Sequence, residues 1–389
     1  MTTIRFVVCG AGSIGREYAL RHLTRENGAR VVAIVDPNAQ AAADLAQAAA
    51  SQQVVGTSAV VGSKYRERVL GGKDAQPLPT YRVLQDALAS TAQQIDAVYI
   101  GTPPSSHAEL FGVAVAAKKH VLLEKPLAAT ADDADVMVRL AQSAPECVCG
   151  MNIGMRYNEA VHVLREKIQA GALGAIRQVD LRLHFREWPR EWQKQPWVAK
   201  RVQGGALREV GTHYFFGLLE VFGHGAIKRV KAEVVYPPAG AGDEAEMSCT
   251  GILEMKDGLQ VHLDVQTECT SLSSDVYDMQ VTGKHQSLLL HDFTALTEVG
   301  GAGTTLVENG GYGRSECVQE LCQDIVAGGV RMDSHGVTVQ QGRGVCRLVD
   351  AILASGGEWT AVDCTDAWDG NGDRERGGGD RTAVTGNEC

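Results

Sequence analysis

The stretch that most constrains this chain runs from Ile4 to Asp36. An apolar run, Ile4 to Cys9, is interrupted only by Arg5, the pattern of a strand buried on both faces of a parallel sheet. It stops at Gly10-Ala11-Gly12-Ser13-Ile14-Gly15 and passes into a helical pattern carrying Tyr18, Leu20 and Leu23. A second apolar run, Val31 to Val35, then ends on Asp36. Strand, glycine turn, helix, strand and terminal acid together make a dinucleotide-binding fingerprint. Gly10 permits the tight turn, Gly12 has no Cβ to hold the backbone from a pyrophosphate, and Gly15 lets helix and strand pack closely. Ser13 and Ile14 stand at the helix N-terminus, whose positive end stabilises phosphate charge. Asp36 is placed to hydrogen-bond the adenosine ribose and would repel a 2′-phosphate, so NAD is expected over NADP. A bare G-x-G-x-x-G among 44 glycines reads equally as a surface loop; the flanking strands, and an acid about twenty residues past the last glycine, weigh against that.

At 389 residues the chain exceeds what one core usually serves, so two domains are expected. A hydrophobic content of 44 % with 22 % charged residues describes a soluble globular protein. The net charge of -10, without any Lys/Arg block, argues against a nucleic-acid surface. Met1-Thr2-Thr3 leads straight into the first strand without a secretory pattern, and no apolar stretch is long enough to span a bilayer. A cytoplasmic protein with no membrane partner is the expectation. The 10 cysteines include no C-x-x-C pair; neither Cys147/Cys149 nor Cys317/Cys322 matches a zinc pattern, so no metal is expected and the thiols read as reduced.

Beyond Asp36, residues 39–50 read as a helix and 51–80 as an insertion with at most one short strand. A helix over 81–92 and a buried strand over 95–100 follow, then the turn Gly101-Thr102-Pro103-Pro104-Ser105-Ser106-His107 and a helix over 108–117. In such sheets ligands sit outside the carboxyl ends of the strands, which puts Thr102, Pro103, Pro104 and His107 at the cofactor edge. For His107 a helix-start residue making local hydrogen bonds is the plainer reading, and that role is compatible with lining the site. The next strand, from His120, runs into Glu124-Lys125-Pro126, again at a carboxyl end. A lysine there is ordinarily solvated. Beside an oxidised nicotinamide, positive charge and poor solvation would lower its pKa and make it an acid or base near neutrality. Pro126 restricts Lys125 to an extended backbone. A helix over 131–141 and a strand over 147–152 close the alternating pattern, placing a domain boundary near Ile153.

The glycine turn, the Thr102-Pro103-Pro104 to His107 turn and Glu124-Lys125-Pro126 resemble, in order and spacing, the Gfo/Idh/MocA oxidoreductases. Gly150-Met151-Asn152 and Arg156-Tyr157 extend the likeness, which covers the chain to about residue 362. The resemblance implies a Rossmann NAD(P)-binding domain over 1–152 and an α+β domain over 153–366 built on a large, mostly antiparallel open sheet. The sequence agrees, with a helix over 158–169 and strand-like runs at 176–184, 230–236, 247–255, 259–265, 278–282 and 287–291. Helices over 316–326 and 339–354 would return to the Rossmann half. The tail 367–389, rich in Gly, Asp, Arg and Asn, reads as disordered and ends in no recognisable address.

Between the first two strands of the second domain, Phe185 to Val198 carries Trp188, Trp192 and Trp197 among Arg186, Arg190 and Lys194. Aromatic faces beside cations suit a sugar ring or an acidic planar substrate, and equally a loop covering a sheet edge. Gly204-Gly205-Ala206-Leu207-Arg208-Glu209-Val210-Gly211-Thr212-His213 is similar to the family's G-G-x-x-x-D-x-G-x-H segment, with Glu209 in place of Asp and Ala206 replacing a third glycine. In an α-helix Glu209 and His213 share a face. A Glu/His pair by itself is usually helix-stabilising; the resemblance makes His213 a proton-transfer residue oriented by Glu209. It further implies catalysis by Lys125 and His213, cofactor contacts from Glu124, Asn152 and Arg156, and Tyr157 near the substrate. The activity implied is hydride transfer between NAD(P) and a hydroxyl or carbonyl carbon of a sugar, polyol or related hydroxy compound. A dihydrodiol-type dehydrogenase, an NAD-using glycosidase and a non-catalytic NAD-binding regulator are the alternatives. A homodimer or homotetramer is expected from the open sheet.

Overall fold

The computed structural model describes residues 2–55, 75–92, 94–193, 195–238, 242–300, 303–331, 334 and 336–362. Residues 56–74 of the insertion and the tail 367–389 lie outside the described residues. The apolar runs of the first half become β1 (Ile4–Cys9), β2 (Ala29–Val35), β3 (Thr80–Tyr81), β4 (Ala97–Ile100), β5 (His120–Glu124) and β6 (Cys149–Asn152). They form one sheet in the order β3-β2-β1-β4-β5-β6, parallel throughout. Strand order reverses at β1/β4, so the binding crevice opens between their carboxyl ends. Arg5, the one polar break in β1, sits at the opposite end, where its Nε and Nη2 donate to Asp96 at 2.7 and 2.6 Å.

The glycines of the first turn are required by contact. A Cβ on Gly15 would lie 1.8 Å from the Gly10 carbonyl oxygen, and one on Gly10, at φ +100°, would lie 2.5 Å from that of Gly101. The helix that follows, α1 (Ser13–Glu17), continues as a π-helical turn over Tyr18–His22. Helices α2 (Ala39–Val55), α3 (Leu84–Ala89), α4 (His107–Ala116) and α5 (Ala131–Ser143) complete the alternation. The expected helix over 81–92 is shorter because Tyr81 is taken into β3, pairing with Val35.

After α6 (Glu159–Gln169), whose N–H groups Asn158 caps, β7 (Ile176–His184) starts a second sheet. Helix α7 (Thr212–Phe222) precedes β8 (Ile227–Val235), β9 (Ser248–Met255), β10 (Gln260–Gln266), β11 (Val276–Gly283), β12 (Ser287–His291), β13 (Ala295–Glu298) and β14 (Thr305–Val307). Helices α8 (Arg314–Val326) and α9 (Val339–Ala354) and the short β15 (Thr360–Ala361) end the fold. The nine strands run β14-β13-β12-β11-β7-β10-β9-β8-β15, antiparallel except for β7 with β10. Strand alternation sends Val179, Leu181 and Leu183 of β7, with Val261, Leu263 and Val265 of β10, to the buried face. The other face carries polar pairs, Arg182–Asp278 at 2.6 Å and His184–Asp264 at 2.8 Å. Helix α7 is mostly apolar and is buried from Thr212 to Val221, and its one carboxylate, Glu220, is paired.

Helix α8 follows β14 in sequence but packs on the first sheet, and α9 packs against both halves. Cys317, Val318, Leu321 and Cys322 of α8 share a core with Phe6, Val8, Tyr18 and Leu45, while α9 lies against α5 and α7. Polar ties fasten this return: Asp350 of α9 accepts from the Ala131 N–H at 2.7 Å and from Arg208 at 3.1 Å, and Arg314 at the start of α8 binds Glu17 of α1. The crevice therefore has walls from both sheets.

Because the Gly15–Gly10 approach is backbone against backbone, Gly15→Ala should destabilise by about 3 kcal/mol or more, the upper end of overpacking. Thermal unfolding of the purified variant checks this; an unchanged midpoint would contradict the packing described.

Candidate active site

The crevice is built from the residues after β1, β4 and β5. A Cβ on Gly12 would meet no protein atom within 4 Å, so the protein's own packing leaves the space beside this turn open. No side chain caps the helix at Gly12, leaving its first N–H groups, including those of Ser13 and Ile14, to an anion. Asp36, past β2, accepts from the Ala11 N–H at 2.7 Å through one oxygen and from the Asn38 N–H at 2.8 Å through the other. Its carboxylate is thereby held against the glycine turn, at the edge where an adenosine ribose would lie.

After β4, Thr102 and Pro103 lead into a 3₁₀ turn over Pro104–Ser106, and the Ser106 hydroxyl donates to Thr102 Oγ1 at 2.7 Å. His107 does not line the crevice. Its ring is fully buried, with Nε2 2.9 Å from the Thr102 carbonyl and Nδ1 3.1 Å from that of Leu127. It pins the turn after β4 to the segment after β5, the hydrogen-bonding role expected of a helix-start residue. Burial pushes its pKa down, with the backbone carbonyls opposing.

Glu124 closes β5 and is buried, with Oε1 accepting from the Tyr99 hydroxyl at 2.8 Å and from Asn152 Nδ2 at 2.6 Å. Desolvation raises its pKa, while the charges of Arg314 and Lys125 and those hydrogen bonds oppose the rise. Lys125 Nζ donates to Glu209 Oε1 at 2.8 Å and to the Glu209 carbonyl at 3.0 Å; its peptide bond to Pro126 is cis. Gln193 Nε2 donates to the same Oε1 at 2.7 Å.

The expected pairing of Glu209 with His213 is not what the structure contains: the Glu209 carboxylate is given to Lys125 and Gln193. The reason is local. Residues Leu207–Gly211 form a π-helical turn before α7, and i→i+5 winding takes residues four apart off a common face. His213 instead sits beside the Tyr312 hydroxyl, 3.4 Å from its ring nitrogens, and edge-on to Phe293 at 5.6 Å. Burial, then the charges of Lys125, Arg314 and Arg190, hold its pKa well below the ordinary histidine value.

Other candidates are placed elsewhere. Arg156, expected at the cofactor, pairs with Glu220 of α7 at 2.5 Å. Glu220 also holds His224 at 2.6 Å. Tyr157 packs beneath Gly313, where a Cβ would lie 2.4 Å from its own, beside the start of α8. Both follow Asn152 into a 3₁₀ turn, Gly154–Tyr157, that turns them into the second domain. Trp188 packs edge-on to Phe185 at 4.9 Å; Trp192 is 73 % exposed, and Trp197 is half-buried in a 3₁₀ turn over Pro196–Ala199. Lys194 lies outside the described residues.

Tyr312 and Arg314 escaped the sequence reading. They arrive on Gly310-Gly311-Tyr312-Gly313-Arg314, where Gly311 and Gly313 adopt φ +70° and +65°. A Cβ on Gly154 would lie 2.1 Å from the Tyr312 carbonyl oxygen. A tyrosine and an arginine set among left-handed glycines were the available signal. Burial would raise the Glu17 pKa, but His22 and Arg314 outweigh it and bring it to about 2. Among the described residues no cluster of His, Cys, Asp and Glu is arranged to hold a metal ion, and no helix is long and apolar enough to cross a membrane.

A doubly wound nucleotide-binding sheet whose crevice receives a lysine from its own edge and a carboxylate and a histidine from a second sheet's helix defines a two-domain dinucleotide-binding class. Residues 4–152 match the model described as the oxidoreductase family, NAD-binding Rossmann fold, and residues 161–289 match the GFO/IDH/MocA C-terminal domain. The chain belongs to the Gfo/Idh/MocA oxidoreductase family. It is 28 % identical over 235 residues to a 4-carboxy-2-hydroxymuconate-6-semialdehyde dehydrogenase of Sphingobium sp., covering 60 % of this chain and 63 % of that one. It is also 28 % identical over 215 residues to a 1,5-anhydro-D-fructose reductase of Ensifer adhaerens, covering 54 % of each. The matched part thus spans less than two thirds of either relative. Among solved structures, levoglucosan dehydrogenase in complex with NADH superposes with a TM-score of 0.70 at 17 % identity, covering 92 % of this chain and 99 % of that one. Its fold is the one described above.

With its pKa depressed, His213 is neutral across the physiological range. The unfolded chain protonates first, near the ordinary value of 6.5, so the histidine's contribution to stability is complete above that pH and is lost as pH falls toward the lower folded pKa. An NMR titration of the folded protein should place the His213 midpoint below the ordinary histidine value; a midpoint at that value would contradict the burial described.

Proposed function

We propose that this protein is an NAD(P)-dependent oxidoreductase acting on a hydroxyl or carbonyl carbon of a sugar, polyol or related hydroxy compound, with NAD preferred. The observation that carries the reading is the meeting of Lys125 Nζ and Glu209 Oε1, at 2.8 Å, in the crevice that Gly12 leaves open and His213 adjoins. Oxidising a carbinol removes a hydride from carbon and a proton from oxygen; the nicotinamide supplies the hydride acceptor when bound. The glycine turn and the α1 N-terminus would hold the pyrophosphate, and Asp36 the adenosine ribose. Glu124, Asn152 and the Thr102–Pro104 turn would border the nicotinamide half. Lys125, held by Glu209, would hydrogen-bond the reacting oxygen, and His213, kept neutral, is free to accept its proton. In the reverse direction the same groups return it.

Cytoplasmic residence and a homodimer or homotetramer belong to the same reading. They are supported by the free thiols of the described cysteines and by the charged face of the second sheet, which no partner covers in the single chain. The net charge of -10 supports a small-molecule partner over a nucleic acid.

Fluorescence titration should give tighter binding of NADH than of NADPH by about tenfold or more, the scale of one unfavourable charge contact in a phosphate site. Asp36→Ser should narrow the gap, and equal affinities in the unaltered protein would remove Asp36 from its role. Lys125→Met should retain NADH binding while turnover falls by about 10²–10⁴-fold. Full activity in that variant would overturn the assignment of Lys125, and binding without turnover in the unaltered protein would favour a regulator.

A further inference from the structure

Arg190 is a buried cation that the proposed reaction does not use. Its residue is only 9 % exposed, yet it forms no ion pair with a carboxylate among the described residues. Nε donates to Gln193 Oε1 at 2.6 Å and Nη1 to the Tyr277 hydroxyl at 3.0 Å, both neutral. Nη2 has no hydrogen-bond partner among the described residues. The two acids nearby are each reached through another side chain. Tyr277 donates to Asp275 at 2.7 Å, and Gln193 donates to Glu209, whose charge is already matched by Lys125.

Aromatic rings surround the guanidinium: Trp192 at 4.5 Å, Trp188 at 5.8 Å and Phe185 at 5.9 Å. Rings attract the cation but cannot neutralise it. A buried charge without a counter-ion is costly, and a ligand carboxylate at the open Nη2 would offset that cost. The continuous run Lys125–Glu209–Gln193–Arg190 puts this cation in the same crevice as the proposed chemistry, and its charge is felt at His213. Glu209 is paired directly with Lys125 and Asp275 with the Tyr277 hydroxyl, so no carboxylate touches the guanidinium itself.

We propose that the substrate of this site carries a carboxylate remote from its reacting carbon, as in an aldonate or uronate, and that Arg190 receives it. The inference rests on the oxidoreductase reading and narrows its substrate class. Arginine suits such a role, because its planar fork bonds a carboxylate through in-plane N–H groups while its faces stack on rings. Trp192, mostly exposed and lying over the guanidinium, shields the pair from water once formed, which strengthens it.

The test uses the full chain saturated with NADH for binding and with NAD for turnover. Calorimetric titrations and initial rates are compared for matched probes: aldoses and polyols, the corresponding aldonates and uronates, and sugar phosphates. The acids should bind and turn over with an advantage of about 10- to 100-fold over neutral partners, the scale of a hydrogen-bonded charge pair, expressed in KM rather than kcat. Arg190→Met should shrink the acid-to-neutral ratio by a similar factor, and Arg190→Lys should restore part of it. NADH titration and thermal unfolding of each variant report whether the fold is kept, and the preference of the unaltered protein decides the matter if a variant does not fold. Neutral sugars turned over as well as their acids would overturn the inference and leave the oxidoreductase reading standing. A preference for sugar phosphates over carboxylates, or failure of every acid to bind, would also overturn it. Acids bound without turnover would support the anion site and overturn the proposed reaction instead.

Discussion

The bond between Lys125 and Glu209 joins the two halves of this molecule at the point where its chemistry is proposed. Lys125 follows the last residue of a strand in the first sheet, and Glu209 stands on the helical turn that leads into the core of the second. Their side chains are only 14 % and 11 % exposed, so two charges have been taken largely out of water. Such a pair holds only when its geometry is good and its remaining hydrogen-bonding capacity is met. Here the Glu209 carbonyl and Gln193 meet it. The pair depends in turn on the crevice walls staying in register, which is the work of α8 and α9. These helices cross back to the first sheet and are tied there through Asp350, Arg208, Arg314 and Glu17.

The helix turn that carries Glu209 is itself braced from below. Glu246, buried beside the start of β9, accepts from the Leu207 N–H at 2.8 Å and supplies the cap that Ala206 cannot. Burial raises its pKa, and backbone N–H groups oppose the rise. The adjoining glycines make room for this arrangement. A Cβ on Gly205, at φ +97°, would meet the Glu246 carboxylate at 2.2 Å, and one on Gly204 would meet the carbonyls of Trp197 and Val198 at 2.3 Å. The pair of glycines before Glu209 thus lets three segments meet: the tryptophan loop, the capped π turn and the strand that brings Glu246. Widening that turn directs the carboxylate to Lys125, and the regular α-helix resumes in time to leave His213 facing Tyr312. One-turn π segments of this kind recur at functional sites because they re-aim a side chain without breaking the helix.

What the sequence by itself determined is the part governed by local pattern. Continuous apolar runs ending on glycine specified buried parallel strands, and alternation at 176–184 and 287–291 specified half-buried ones, because side-chain periodicity follows directly from strand and helix geometry. The turn from Gly10 to Gly15, Asp36 and the Glu124-Lys125 strand end were legible for the same reason: each lies within a few residues of the signal that marks it. Short strands such as β13 to β15 carried too few residues for a period to register. Tertiary structure alone decided which side chains meet. Glu209 lies 84 positions from Lys125, and Arg314 lies 297 from Glu17; no local pattern encodes such distances. Arg156, Tyr157 and His107 were legible by position, but their contacts with Glu220, Gly313 and the Thr102 and Leu127 carbonyls were not, because direction as well as sequence place determines what a side chain reaches. The π turn at Leu207–Gly211 reversed a pairing that ordinary helical spacing favoured, since its winding is set by the cap, the glycines and the walls around it.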